Sequence, residues 1–80
     1  MGMTEIKLTN TQREEVLFYE QGFEQYHPQL HIIKWMEEQG HRYHVDWKCD
    51  RINHKADERS YYRLSFKDPI MAELFVLKYL

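Results

Sequence analysis

The tightest constraint in this chain is a pair of alternating runs followed at once by a helix-start signal. From residue 41 to residue 49, Tyr43, Val45, Trp47 and Cys49 fall on one side, and Arg42, His44, Asp46 and Lys48 on the other. From Ser60 to Phe66, Tyr62, Leu64 and Phe66 oppose Tyr61, Arg63 and Ser65. A period of two is that of a half-buried strand. Residues 41–49 and 60–66 therefore predict an antiparallel hairpin, joined by a charged, solvated loop over residues 51–59. Asp68-Pro69 then sets an N-cap acid before a proline at the first helical position. Ile70, Met71, Leu74, Phe75 and Leu77 mark the apolar side of the helix expected over 69–79.

The first half supplies what must cover that sheet. Glu5-Ile6-Lys7-Leu8 alternates and predicts a short strand over 5–8. Thr11 with Glu14 has capping-box spacing, and Val16, Tyr19, Phe23 and Tyr26 recur at helical spacing, so a helix is expected over 12–26. Gly22 weakens that helix by roughly 1 kcal/mol relative to Ala. An alternative reading takes Val16–Tyr19 as a strand pairing with the first one. Pro28 suits the first turn of a second helix over 28–39, which Gly40 ends as a left-handed cap residue. The expected fold is α+β: a small antiparallel sheet packed on one face against about three helices.

Composition then bounds the class. Eighty residues make one small domain. A single cysteine excludes an intramolecular disulfide framework, so the core must come from side-chain burial. Aromatic residues, at 15%, are the natural source, each ring burying roughly 150–250 Å². No apolar run approaches about 18 residues, so no membrane span is expected. Residues 1–10 hold no apolar stretch of signal-peptide length, so nothing suggests export and a cytoplasmic protein is expected.

The segment Phe66-Lys67-Asp68-Pro69-Ile70-Met71-Ala72-Glu73-Leu74-Phe75-Val76-Leu77-Lys78-Tyr79 resembles the end of small uncharacterised proteins of tailed bacteriophages. Those close with a strand Phe, an acid, an Ala and then Phe-x-Leu-basic-aromatic. Phe66, Asp68, Ala72, Phe75, Leu77, Lys78 and Tyr79 stand at these places. Residues 33–38 followed by Asp46-Trp47 look like the helix and strand of the same proteins. The resemblance spans residues 28–80. It implies a fold and a viral origin, and brings no catalytic residues with it.

Chemistry-bearing motifs are sparse. Five histidines invite a zinc reading, but the lone Cys49 has no thiolate partner, and His41 and His44 fall on opposite strand faces. No phosphate loop, nucleophile elbow or zinc-protease motif is present. Cys49 falls on the core side of its strand, where a thiol acts as a small hydrophobe. The chain reads as non-enzymatic, with no cofactor and no metal.

Charge is divided along the chain. Residues 1–40 hold seven acids and three bases, a net −4; residues 41–80 hold six acids and eight bases, a net +2. The outer hairpin face is expected to present Arg42, His44, Lys48, Tyr61 and Arg63, and the loop to add Arg51, His54, Lys55 and Arg59. Basic residues interleaved with tyrosine suit nucleic acid. Unlike-charged faces and surplus rings, with Phe18, Tyr26 and Trp35 as candidates, suit a host or phage protein partner, or a homodimer. The leading expectation is a phage-type accessory protein that binds a macromolecule as inhibitor or adaptor. Nucleic-acid binding is the alternative, and sequestering a small ligand the second alternative.

Overall fold

The computed structural model describes residues 2–23, 25–53 and 60–80. The fold is α+β. In chain order the elements are β1 (Thr4–Lys7), α1 (Asn10–Val16), β2 (Leu17–Glu20), β3 (Gln25–Pro28), α2 (Leu30–Glu38), β4 (Trp47–Asn53), β5 (Ser60–Phe66) and α3 (Pro69–Tyr79). A three-stranded antiparallel sheet has the order β1-β5-β4, and β2 and β3 form a separate two-stranded sheet.

The alternation in β5 is realised, except that Ser65, expected outward, is buried at 1% exposure. Tyr62, Leu64 and Phe66 are buried on the inner face, where Trp47 of β4 lies opposite Phe66 and the two rings stack 6.0 Å apart. α3 closes this face. Asp68 caps it by accepting from the Ile70 N–H at 2.9 Å, and Pro69 occupies its first turn. Its Phe75 ring lies 5.3 Å from Phe66. Ile32 and Met36 of α2, with Leu8, Val16 and Leu17, complete the same core. The opposite face of the sheet carries Glu5, Lys7, Lys48, Asp50, Tyr61 and Arg63.

The helix expected over 12–26 is broken into three elements. α1 is only seven residues long. Its capping box is Thr9 with Gln12, not Thr11 with Glu14: the Gln12 N–H donates to Thr9 Oγ1 and the Thr9 N–H to Gln12 Oε1. The chain then turns extended at Leu17-Phe18-Tyr19, residue types that suit strands. It reverses through Gly22 at φ +101° and returns as β3. The spacing that mimicked a helix has a second solution. Tyr19 and Tyr26 lie seven residues apart, two helical turns, but here they face each other across the hairpin with ring centroids 5.3 Å apart. The alternative pairing of residues 16–19 with the first strand is also replaced, since β1 pairs with β5.

Two further boundaries move. Pro28 ends β3, buried opposite Leu17, and α2 begins two residues later. Gly40 does follow the helix with a left-handed backbone, φ +86°. The strand expected over 41–49 begins only at Trp47. Before it, the Arg42 N–H donates to the Asp46 carboxylate at 2.8 Å, and the Asp46 N–H to the Arg42 carbonyl, also at 2.8 Å. This turn, with His44 at φ +70°, spends residues 42–46 that alternation assigned to the strand. β4 instead runs on through Arg51, Ile52 and Asn53, at the start of the expected loop.

Candidate interaction surfaces

Three surfaces emerge from this architecture. The first is the outer face of the main sheet. Register brings Lys48, Tyr61 and Arg63 together there, as expected, but their charges are internally matched. Arg63 Nη1 lies 3.4 Å from Glu5 and its Nη2 3.8 Å from Asp50. Lys48 Nζ lies 3.6 Å from the same Asp50 carboxylate. Lys7 Nζ sits 4.5 Å over the Tyr61 ring, a cation–π geometry. Arg42 and His44, expected on this face, stand in the turn before β4 and do not join it. Arg51 is exposed opposite Tyr62, in register with the inner-face residues. Lys55 and Arg59 lie outside the described residues, as does His54. Five charged residues on the face, Glu5, Lys7, Lys48, Asp50 and Arg63, thus form an alternating mosaic rather than a basic patch.

The second surface is the β2–β3 hairpin and the start of α2. The pleat turns Tyr26 toward the core. Its N–H donates to Tyr62 Oη at 3.1 Å, its ring lies edge-on to Tyr62 at 5.2 Å, and the Arg13 guanidinium lies 4.9 Å from its face. Phe18 is turned outward beside His27, which lies 3.0 Å from Glu20. A shallow groove of about 340 Å³ is lined by Phe18, Gln29, Leu30 and His31. Phe23, in the hairpin turn, is 71% exposed and Leu30 is 69% exposed. Of the three aromatic candidates, Phe18 is therefore available to a partner, while Tyr26 is structural. Trp35 is half-buried, with Tyr79 edge-on at 5.5 Å and Lys78 Nζ 5.2 Å over its ring. Phe23, expected on the helix over 12–26, stands instead in the hairpin turn; the local signal is the adjacent Gly22, which suits a turn.

The third surface lies between α3 and the free edge of β1. Met71, Ala72 and Phe75 face the core, whereas Ile70, Leu74 and Leu77, expected on the apolar inner side, face outward. Leu77 is 83% exposed. A groove of about 430 Å³ runs beside the helix, lined by Thr4, Ile6, Pro69, Ala72, Glu73, Val76 and Leu77. The sequence signal for this surface is that α3 is apolar around most of its circumference, a pattern of helices covered on all sides.

Catalytic chemistry gains little from the geometry. Cys49 is half-buried on the inner face, and burial, then the Asp50 charge, push its thiol up to about 12. That suppresses the thiolate a nucleophile needs. Burial, followed by the Cys49 charge, likewise pushes the Tyr43 hydroxyl up to about 12. Among the described residues, no three His, Cys, Asp or Glu side chains converge as metal ligands. No described helix is long and apolar enough to cross a membrane. No family model, curated protein or solved structure matches the chain.

Proposed function

We propose that this chain is a phage-type accessory protein that acts without catalysis, binding a host or viral protein in the host cytoplasm as an inhibitor or adaptor. The observation that carries this reading is the outward set of Phe18, Phe23 and Leu30 on the hairpin and the start of α2. The fold leaves these large apolar side chains in water, and aromatic anchors of this kind dominate the energetics of protein interfaces. Beside Phe18, His27 pairs with Glu20 and supplies a polar border. The viral origin rests on the resemblance over residues 28–80. Nucleic acid is the less supported partner, because Arg63 and Lys48 are already matched by Glu5 and Asp50.

The test is differential capture from a host lysate. A partner retained by the native chain should be lost by the double variant Phe23→Ser/Leu30→Ser and retained by Arg63→Ala. Retention by the hairpin variant, or loss through Arg63→Ala alone, removes this reading. Release of bound nucleic acid by moderate salt would favour the alternative.

A further inference from the structure

We infer that the free edge of β1 is a self-recognition element: two copies of this chain join edge to edge, extending the three-stranded sheet across a two-fold axis at Ile6. The hairpin surface plays no part in this, so either reading can fail alone.

The backbone fixes which groups are offered. The Leu8 N–H donates to the Tyr62 carbonyl at 2.9 Å. In an antiparallel ladder, hydrogen-bonded and non-hydrogen-bonded pairs alternate. Leu8, Ile6 and Thr4 therefore spend their N–H and C=O groups on β5. Those of Glu5 and Lys7 point to the open edge, where β1 has no neighbouring strand among the described residues. An unpaired row of this kind is a template for another strand.

Charge selects the register. A second β1 running antiparallel can meet the free groups in a few ways. One sets Glu5 against the partner's Glu5, and another sets Lys7 against the partner's Lys7; both oppose like charges. The register centred on Ile6 sets each Glu5 against the partner's Lys7, twice over by symmetry. An isologous interface needs this self-complementarity. The register also brings a carboxylate to a cation that the monomer sets beside a like charge, although Arg63 is itself paired with Glu5 and Asp50 and Lys7 lies over the Tyr61 ring. Lys7 stands directly opposite Arg63 in the β1–β5 ladder, a like-charge cross-strand pair. The partner's Glu5 would flank Lys7 on its other side.

The apolar groove agrees with the same axis. Ile6 lines it, together with Val76 and Leu77 of α3. In this register Ile6 meets the partner's Ile6 in a close, non-hydrogen-bonded pair on the inner face. Because the axis is perpendicular to the sheet, both α3 helices lie on one side, antiparallel and adjacent. The outward apolar residues of α3 next to β1 then gain a covering that the monomer does not provide. A four-residue edge alone forms few hydrogen bonds, so this helix contact is what makes the association worth forming.

Light scattering and native mass spectrometry on the full chain provide the test. The native chain should be a dimer. Glu5→Lys and Lys7→Glu each create like-charge pairs in this register and should weaken association by about tenfold or more. Mixing those two variants restores opposite charges at every facing position, so the mixture should form a one-to-one heterodimer. Circular dichroism confirms that each variant is folded. A native chain that stays monomeric at its highest soluble concentration overturns the inference. So does a single variant that dimerises as tightly as the native chain, or a mixture that fails to pair. The hairpin variant Phe23→Ser/Leu30→Ser should remain dimeric.

Discussion

α2 and α3 belong to one core yet differ in what they show to water. α2 hides Ile32 and Met36, and beyond its first turn, where Leu30 and His31 are exposed, its outward residues are Lys34, Glu37 and Glu38. Past that first turn α2 exposes no large apolar residue. α3 hides Met71, Ala72 and Phe75 and still exposes Ile70, Leu74, Val76 and Leu77. An isolated domain needs only the first set. The contrast separates side chains that hold this small fold together from side chains available for another purpose, within one helix.

The sharpest way to break that contrast is to cut into the inward set. Phe75→Ala should cost about 3–5 kcal/mol through lost burial and a residual cavity. In a domain of this size each kcal/mol lowers Tm by about 4–8 °C, so thermal melting reads the loss directly. Met36→Ala in α2 should cost about 2–5 kcal/mol. If Phe75→Ala melted like the native chain, α3 would not be part of the core. Next in size is the start of α3. Asp68→Ala removes the acceptor for the Ile70 N–H and should cost about 1 kcal/mol in urea unfolding. α2 has no such side-chain cap; the Gln29 side chain instead donates to the Glu15 carbonyl at 2.9 Å, so any loss in Gln29→Ala reads that tether to α1 rather than a cap. The outward set of α3 should behave oppositely. Leu77→Glu should change the stability of the folded monomer by no more than about 0.5 kcal/mol, while weakening self-association measured by light scattering. A large drop in monomer stability would place Leu77 in the core.

The inner sheet face that both helices share has its own alkaline signature. The Cys49 thiol and Tyr43 hydroxyl both titrate near 12 when folded, well above their ordinary values. Above pH 9 the unfolded chain therefore holds fewer protons than the folded one. By linkage, the contribution of these two groups to stability is constant below that point and falls as pH rises from about 9 toward 12. Cys49→Val should flatten part of that decline in urea titrations at pH 8 and pH 10.5. An unchanged slope would show that the Cys49 thiol is not buried as described.

The legible parts of the fold were those with local punctuation. β5 and α3 were readable to the residue because strict alternation ends at Phe66 and Asp68-Pro69 starts the helix at once. Residues 10–28 were not, because a seven-residue aromatic spacing satisfies a helix and a hairpin equally. The choice is made by distant contacts, among them that of Tyr26 with Tyr62. β4 was displaced because the Asp46 side chain captures the Arg42 amide, which no alternation count registers. At the candidate surfaces, Phe18, singled out for its surplus ring, stands exposed. Arg42 and His44 were assigned to a face they do not share, as a consequence of that displacement. The Glu5-Ile6-Lys7 edge went unread because its meaning depends on which backbone groups β5 leaves free, and that is a property of the ladder, not of composition.

One bond described above separates two motions. The Tyr26 N–H is held by the Tyr62 hydroxyl of the main sheet, so a phenol stands where a neighbouring strand would otherwise supply a carbonyl. Exchange of that amide with solvent deuterium reports how often the hairpin lifts away from the sheet, whereas the Leu8 amide, bound within the β1–β5 ladder, reports the opening of the sheet itself. The ratio of the two rates is a clock for independent movement of the hairpin, and a partner that clamps Phe18 and Phe23 should slow the first amide and leave the second alone.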